Sequence, residues 1–174
     1  MKLEGMKIAY LIEEGFEDLE FYVPLMRLRE EGAVITVVGS GKADRFIGKH
    51  CLEARPDTSA SKVSSNDFEA IVVPGGWAPD KMRRFPDILR LVREMYQQGK
   101  IVAAICHAGL VLISAGIVKG HKATGSLGIK DDLINAGAEW VDQPAFRDGN
   151  LVWGRVVEDI PDFNRELVKA LSGE

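Results

Sequence analysis

Apolar residues are concentrated in short continuous runs that predict strands buried on both faces. These runs occupy residues 7–12, 33–38, 70–74 and 101–105. A continuous apolar run of this length is typical of a strand in a parallel sheet, because both faces of such a sheet are covered. The chain is therefore expected to return repeatedly to one buried sheet.

Between and after these runs, apolar residues recur at a spacing close to the helical period. The predicted helices cover residues 16–31, 87–98, 110–115, 131–136 and 162–171. Pro24 lies inside the first helix, and we expect a kink or an irregular start there because proline lacks a backbone N–H. Strands that alternate with helices predict an α/β fold with a mostly parallel sheet and helices on both faces.

Two parts of the chain lack a clear period. Residues 39–66 are rich in Gly, Ser and Asp, and we expect a short hairpin or an irregular excursion there. Short strands are predicted at residues 140–141, 145–146 and 151–153, around a turn at residues 148–150 with the sequence Asp-Gly-Asn. Since no linker or repeat interrupts the chain, residues 1–174 are predicted to form a single domain.

Composition and charge narrow the class of protein. The chain is 46% hydrophobic and 28% charged, which is typical of a globular protein. Its net charge of −4 argues against a nucleic-acid partner. No stretch is long and apolar enough to cross a membrane, and the first residues lack the apolar core of a signal peptide. We therefore expect a cytoplasmic protein with neither a membrane nor a nucleic-acid partner.

The two cysteines, Cys51 and Cys106, lie in different sequence contexts. In an intracellular protein such a pair is more often two free thiols than a disulfide. The three histidines have no HxxxH or CxxC-type spacing, so no metal site is predicted. No cofactor is predicted either.

Cys106 is the most informative residue of the chain. It ends the apolar run at residues 101–105 and is followed by His107 and then by a helix-like segment. A reactive residue at a sharp join between a strand and a helix is the arrangement of a nucleophile elbow. Free backbone N–H groups at the start of the helix favour the thiolate, so a lowered pKa is predicted for Cys106. Neighbouring side chains normally point apart, so the sequence gives no reason to place His107 against the sulfur.

Carboxylates are crowded after the first predicted strand. This acidic group comprises Glu13, Glu14, Glu17, Asp18 and Glu20. In a parallel sheet the carboxyl ends of the strands share one edge, which is also the edge that carries Cys106. A carboxylate turned inward would have a raised pKa and could share the thiol proton, but spacing alone does not choose among the five.

Four sequence segments together resemble the PfpI family of intracellular cysteine peptidases. This family lies within the class I glutamine amidotransferase-like group, which includes the parkinsonism-associated deglycase and the glyoxalase III enzymes. The segments are GFEDLE at 15–20, VVPGGWAPD at 72–80, AAICHAG at 103–109 and IKDDLINAGAEWVD at 129–142. Their order and separation cover nearly the whole chain. The resemblance implies a flavodoxin-like three-layer sandwich.

The resemblance also implies a role for individual residues. Cys106 matches the nucleophile, and Glu20 matches an acid that hydrogen-bonds it. The backbone N–H groups of Gly76 and His107 match an oxyanion hole. His107 further matches the histidine of a Cys-His-acid triad, whose acid comes from a neighbouring subunit at the position of Asp80. Family peptidases usually carry Glu there.

Other positions depart from the family pattern. The glycine that usually follows the histidine is Ala108 here, and a typical Ser-Arg-x-Pro-x-Asp-Leu-Pro segment reads GRVVEDIP at residues 154–161. These differences concern the rim of the site rather than the nucleophile.

Three functional hypotheses follow. The first is a PfpI-type enzyme with Cys106 as nucleophile, acting either on amide bonds or on small reactive carbonyls by a glyoxalase or deglycase reaction. The second is a non-catalytic redox or stress-response protein that senses oxidants through Cys106. The third, a glutamine amidotransferase, requires a later His-x-Glu pair, and no histidine follows His121.

A homo-oligomer, at least a dimer, is also predicted. The segment 75–84 is expected at or beside its interface, because the resemblance implies a shared site. Trp77 within this segment follows a glycine pair and has an exposed-looking context, and aromatic residues are enriched in interface cores. The only other partner expected is the small carbonyl or peptide substrate.

Overall fold

The main sheet of the computed structural model, which describes residues 1–174, contains seven strands. In chain order the strands of the protein are β1 (Lys7–Ile12), β2 (Val34–Gly39), β3 (Phe46–Ile47), β4 (Glu53–Ala54), β5 (Thr58–Ser59), β6 (Ala70–Val73), β7 (Ile101–Ile105), β8 (Lys122–Ala123), β9 (Glu139–Trp140), β10 (Ala145–Asp148) and β11 (Leu151–Gly154). The main sheet has the order β10-β11-β7-β6-β1-β2-β5. All of its pairs are parallel except β10 with β11.

Helices cover both faces of this sheet. They are α1 (Asp18–Glu30), α2 (Ala78–Met82), α3 (Pro86–Gln97), α4 (Gly109–Ala115), α5 (Lys130–Asn135) and α6 (Ile160–Ser172). In one layer α1 contacts α6, and in the other layer α2 and α3 both contact α4. The predicted α/β sandwich of flavodoxin type is therefore confirmed. No helix of the protein combines the length and the apolar character that a membrane span requires.

The continuous apolar runs form the central strands, as predicted. Every residue of β6 and β7 is buried, because helices cover both of their faces. A parallel sheet of this kind places the ends of β1, β6 and β7 side by side at one edge. The candidate site residues follow these three strands, so the topology brings them together.

Three local details extend the sequence prediction. The segment 39–66 holds the expected hairpin, β3 with β4, but it also holds β5, which pairs with β2 at the edge of the main sheet. The short helix α2 was not predicted, because five residues are too few to show a period. The strand predicted at residues 140–141 is β9, which pairs with β8 outside the main sheet.

Pro24 lies within α1, which continues on both sides of it. Proline has no N–H for the carbonyl oxygen four residues earlier, so the carbonyl of Glu20 has no helical donor from that position. The hydroxyl of Tyr10, on β1, donates a hydrogen bond to this carbonyl at 2.8 Å, and both residues are fully buried. The pair therefore ties the first turns of α1 to the central strand of the sheet.

We expect Tyr10→Phe to lower the free energy of unfolding by about 1–3 kcal/mol, because it leaves a buried carbonyl oxygen without a donor. Urea denaturation of the purified protein would measure the loss. The matched control is Tyr22→Phe, since the Tyr22 hydroxyl also donates to a main-chain carbonyl, that of Glu53, but in a solvent-exposed setting. Equal losses in the two variants would contradict the special role of the buried bond.

Candidate active site

Cys106 lies in a sharp turn between β7 and α4. Its φ is +61°, a left-handed conformation that costs a non-glycine residue about 1–2 kcal/mol. A single 3₁₀ turn, Cys106–Ala108, follows, and α4 begins at Gly109. The backbone therefore has the elbow predicted from the sequence, with the thiol raised at the carboxyl edge of the sheet.

Glycines leave the space in which this elbow fits. A Cβ on Gly75 would lie 2.8 Å from Cβ of Cys106 and 2.3 Å from Oε2 of Glu20. A Cβ on Gly125 would lie 2.6 Å from the carbonyl oxygen of Cys106. Neither contact is sterically possible without a shift. The absence of side chains at Gly75 and Gly125 thus allows the thiol and the carboxyl group to approach each other.

Glu20 is the acid that lies beside Cys106, and it is fully buried. Glu13, Glu17 and Asp18 are also buried. It lies in the first turn of α1, where the Glu17 side chain caps the helix by accepting the Glu20 N–H at 2.9 Å. Oε2 of Glu20 accepts the Gly75 N–H at 2.8 Å. Oε1 is buried without any other hydrogen-bond partner and is left to share a proton with the sulfur of Cys106. Among the five crowded carboxylates, the fold selects Glu20.

Burial controls the protonation of this pair. It raises the pKa of Glu20 to about 8, with a further increase from the charge of Glu17. Burial, followed by the charge of Glu20, raises the pKa of Cys106 to about 12. The raised pKa expected for an acid turned inward is therefore found at Glu20. The predicted lowering of the thiol pKa is wrong, because desolvation and the neighbouring carboxylate outweigh the backbone donors at the helix start.

His107 lies against the sulfur, although adjacent residues rarely face each other. Its Nδ1 is 3.3 Å from Sγ of Cys106. Burial, followed by the charge of Lys49, lowers the pKa of His107, so the ring is neutral at pH 7. No carboxylate of the same chain forms an ion pair or a hydrogen bond with the ring. His107 therefore has a contact with the thiol but no acid that orients it.

Two backbone N–H groups lie at the sulfur, those of His107 and Gly76, and both favour the thiolate. Gly76 is held there by an antiparallel bridge to Phe16. Its φ is +81°, and a Cβ would lie 2.4 Å from the backbone nitrogen of Glu17, so only glycine fits. The arrangement provides two backbone donors for the sulfur.

Asp80 lies apart from this cluster. It is in the first turn of α2, exposed, and its side chain pairs with Arg84 one turn later. No hydrogen bond or ion pair joins it to His107 within the chain. The structure therefore brings Cys106, Glu20, Gly76 and His107 together and leaves Asp80 outside.

The loop of residues 47–52 is a further element of the site, and no sequence pattern predicted it. Asp18 holds this loop by accepting the N–H groups of His50 and Leu52, each at 2.9 Å. The loop brings Lys49 close enough for its charge to lower the pKa values of both Glu20 and His107. Lys49 also lines a cleft of about 610 Å³ next to α1. Its position depends on contacts between distant segments, which no local pattern encodes.

Both cysteines are free thiols, as expected. Cys51 is exposed in the loop of residues 47–52 and has a φ of +72°. Cys106 is only partly accessible. The two thiols thus occupy different environments in one molecule, which allows one to serve as a reference for the other.

Comparison with known proteins identifies the family of the chain. The sequence model of the DJ-1/PfpI family matches residues 6–170. The chain belongs to the DJ-1/PfpI family. It is 42% identical over 166 residues to a Pyrococcus furiosus protein named Deglycase PfpI, covering 95% of this chain and 99% of that one. It is 37% identical over 169 residues to General stress protein 18 of Bacillus subtilis, covering 96% and 98%.

A solved structure gives the same result for the fold. A two-domain protein of Anabaena variabilis with DJ-1/ThiJ/PfpI-like and ferritin-like domains superposes on this family member with a TM-score of 0.93 and 39% identity. The match covers 97% of this chain and 48% of the Anabaena chain. The relatives of this chain thus include a protein named as an enzyme. The fold that carries the elbow is the fold of the DJ-1/PfpI family.

We expect the alkylation rate of Cys106 by iodoacetamide to rise with pH through an apparent pKa near 8. Below that pH Glu20 keeps its proton and the thiol keeps its own. Above it the carboxylate can accept the thiol proton as the sulfur reacts. In Glu20→Gln the step near pH 8 should disappear, because the amide neither holds nor accepts a proton.

Mass spectrometry of the peptides that carry each cysteine would give both rates from one sample. Cys51 is the internal control, because its alkylation should not respond to Glu20→Gln. A wild-type midpoint near pH 6, or the same midpoint in Glu20→Gln, would contradict the assignment of the raised pKa to this pair.

Proposed function

We propose that this protein is a cysteine-dependent enzyme that converts small reactive carbonyl compounds by a glyoxalase- or deglycase-type reaction. The observation that carries the proposal is the buried carboxyl group of Glu20 beside Cys106, with a pKa raised to about 8. A carboxyl group that can hold or release a proton near neutral pH is suited to proton transfer at a reacting sulfur. The name of the Pyrococcus furiosus relative supports the same reaction class.

The first step is addition of Cys106 to an aldehyde carbon. A bond forms between Sγ and carbon while the C=O π bond breaks, and the thiol proton passes to Glu20 in its ionised form, which a pKa of about 8 leaves as a minor fraction at neutral pH. Negative charge then develops on the substrate oxygen, which the N–H groups of Gly76 and His107 are positioned to stabilise. Return of the proton to that oxygen gives a hemithioacetal with all atoms balanced.

An α-oxoaldehyde can then be rearranged without any external oxidant. The proton on the carbon attached to sulfur moves by way of Glu20 to the neighbouring carbonyl oxygen and gives an enediol. The hydroxyl proton of the sulfur-bearing carbon then passes by way of the same carboxyl group to the neighbouring carbon, and the product is a thioester of a 2-hydroxy acid. Water cleaves this thioester and releases the 2-hydroxy acid and the free thiol. One carbon is oxidised and its neighbour is reduced, so the overall reaction only adds water.

Amide hydrolysis is the less favoured alternative. It requires an acid that protonates the leaving amine, and in cysteine peptidases an oriented histidine serves this purpose. His107 contacts the sulfur, but no acid of the same chain orients its ring, and Asp80 is paired with Arg84. A peptidase triad would need Asp80 of a second subunit. Carbonyl chemistry needs only Cys106, Glu20 and the two N–H groups.

We expect Cys106→Ser to lower the kcat/KM for methylglyoxal by about 10³-fold or more, because the nucleophile is lost. Glu20→Gln should lower kcat by about 10²- to 10⁴-fold, since the amide cannot accept a proton. Formation of lactate from methylglyoxal measures both effects. The matched control is Glu13→Gln, another buried carboxyl group at the same edge of the sheet, which should retain wild-type turnover.

The same experiment separates the redox alternative. Absence of methylglyoxal turnover by the wild type, together with selective oxidation of Cys106 by peroxide, would reject the enzyme and favour an oxidant sensor. General stress protein 18 is a relative whose name is compatible with either role.

Asp80→Asn tests the triad and the assembly together. We expect the variant to keep its methylglyoxal turnover, because the proposed steps do not use Asp80. Light scattering at micromolar concentration would test the homo-oligomer, which stays a prediction. A large loss of turnover in Asp80→Asn, combined with loss of activity on dilution to monomers, would instead favour a site shared between subunits.

A further inference from the structure

Two lysines lie near the exposed indole ring of Trp77, and neither forms an ion pair. Nζ of Lys49 lies 5.4 Å from the ring centroid. Nζ of Lys81 donates to the main-chain carbonyl of Glu14 at 3.2 Å. Lys81 and Trp77 both lie next to Gly15, where a Cβ would be 3.6 Å from Nζ of Lys81 and 3.2 Å from Cβ of Trp77. The nearest ion pairs are those of His50 with Glu17 and of Arg84 with Asp80, and they do not involve these lysines.

Main-chain hydrogen bonds connect this group to the nucleophile. The N–H of Lys49 donates to the carbonyl oxygen of Phe16 at 2.8 Å, and Phe16 forms the bridge to Gly76. The N–H of Trp77 donates to the carbonyl oxygen of Gly15 at 2.8 Å. Since the N–H of Gly76 lies at the sulfur of Cys106, the residue after it, Trp77, stands at the rim of the site.

The carboxylates nearby are already occupied by backbone donors. Glu17 accepts the N–H of Glu20, Asp18 accepts two N–H groups of the loop 47–52, and Glu14 accepts the N–H of Ile47 at 3.0 Å. The acids that surround the lysines therefore serve to hold the loops. The two ammonium groups keep donor capacity that no carboxylate uses.

We infer that Lys49 and Lys81, which both lie near Trp77, bind an anionic group of the substrate, so that the enzyme prefers small carbonyl compounds that carry a carboxylate or a phosphate near the carbonyl. This inference rests on the proposed function and names its substrate class. The indole face helps to hold the Lys49 ammonium in place through a cation–π contact. Lys49 also acts electrostatically on His107 and Glu20, which places its charge within range of the reacting atoms.

Protection of Cys106 from alkylation measures this preference without requiring turnover. Glyoxylate carries an aldehyde beside a carboxylate, and glyoxylamide is its neutral counterpart. Glycolaldehyde phosphate and glycolaldehyde form the corresponding pair for phosphate. For each aldehyde we would measure the concentration that halves the iodoacetamide labelling of Cys106. The same aldehydes with N-acetylcysteine correct for their intrinsic reactivity.

After this correction, the anionic member of a pair should protect Cys106 about three- to tenfold better than the neutral member. Lys49→Gln should reduce this preference, and Lys49→Gln with Lys81→Gln should abolish it. The preference should also fall as the salt concentration rises, because both lysines are only partly buried and their charges are screened by ions. Lys130→Gln is the matched control, since Nζ of Lys130 lies 6.0 Å from the ring centroid of Trp140 in a second lysine–indole contact that involves neither Lys49 nor Lys81.

Preference for only one pair would identify the anion as carboxylate or as phosphate. Equal protection by charged and neutral aldehydes, or a preference that survives the double variant, would overturn the inference. Methylglyoxal turnover without an anion preference would leave the proposed function intact and reject this inference. Anion-selective protection without any turnover would reject the proposed function and keep the anion-binding rim.

Discussion

The contact between a buried carboxyl group and a thiol is the constraint on which the rest of the site depends. Glu20 approaches Cys106 only because Gly75 has no side chain and donates its N–H to the carboxylate. Burial of the carboxyl group would be costly without that hydrogen bond and without a partner that can share its proton. The same burial that costs free energy sets a pKa near 8, which is the property that proton transfer requires.

The surrounding structure holds this contact in place through main-chain hydrogen bonds. Glu17 caps the helix at Glu20, and Tyr10 donates to the carbonyl that Pro24 leaves free. Asp18 binds the loop that carries Lys49. A proline inside a helix is normally a disruption, but here it frees an acceptor that connects the helix to the central strand. Most of the crowded acids thus organise the backbone, and only one faces the reacting sulfur.

The chemistry of the thiol follows from competition between opposing effects. The left-handed elbow turns the sulfur toward two backbone donors, which favour the thiolate, while burial and Glu20 favour the thiol. Desolvation wins, so the sulfur depends on its carboxyl neighbour to remove the proton when a substrate is present. Because Glu20 can accept the thiol proton, the site does not require an acid of the same chain to orient His107.

The sequence by itself determined the buried strands, most helices and the elbow at Cys106, because continuous apolar runs and a strand-to-helix join are local patterns. Resemblance to a family also selected Glu20 from five acids that spacing alone left equivalent. Only the tertiary structure placed β5 at the sheet edge, brought His107 against the sulfur and raised the thiol pKa. It also carried Lys49 from an irregular loop to the rim of the site. These features depend on desolvation and on hydrogen bonds between segments distant in sequence, and neither leaves a period or a motif in the chain.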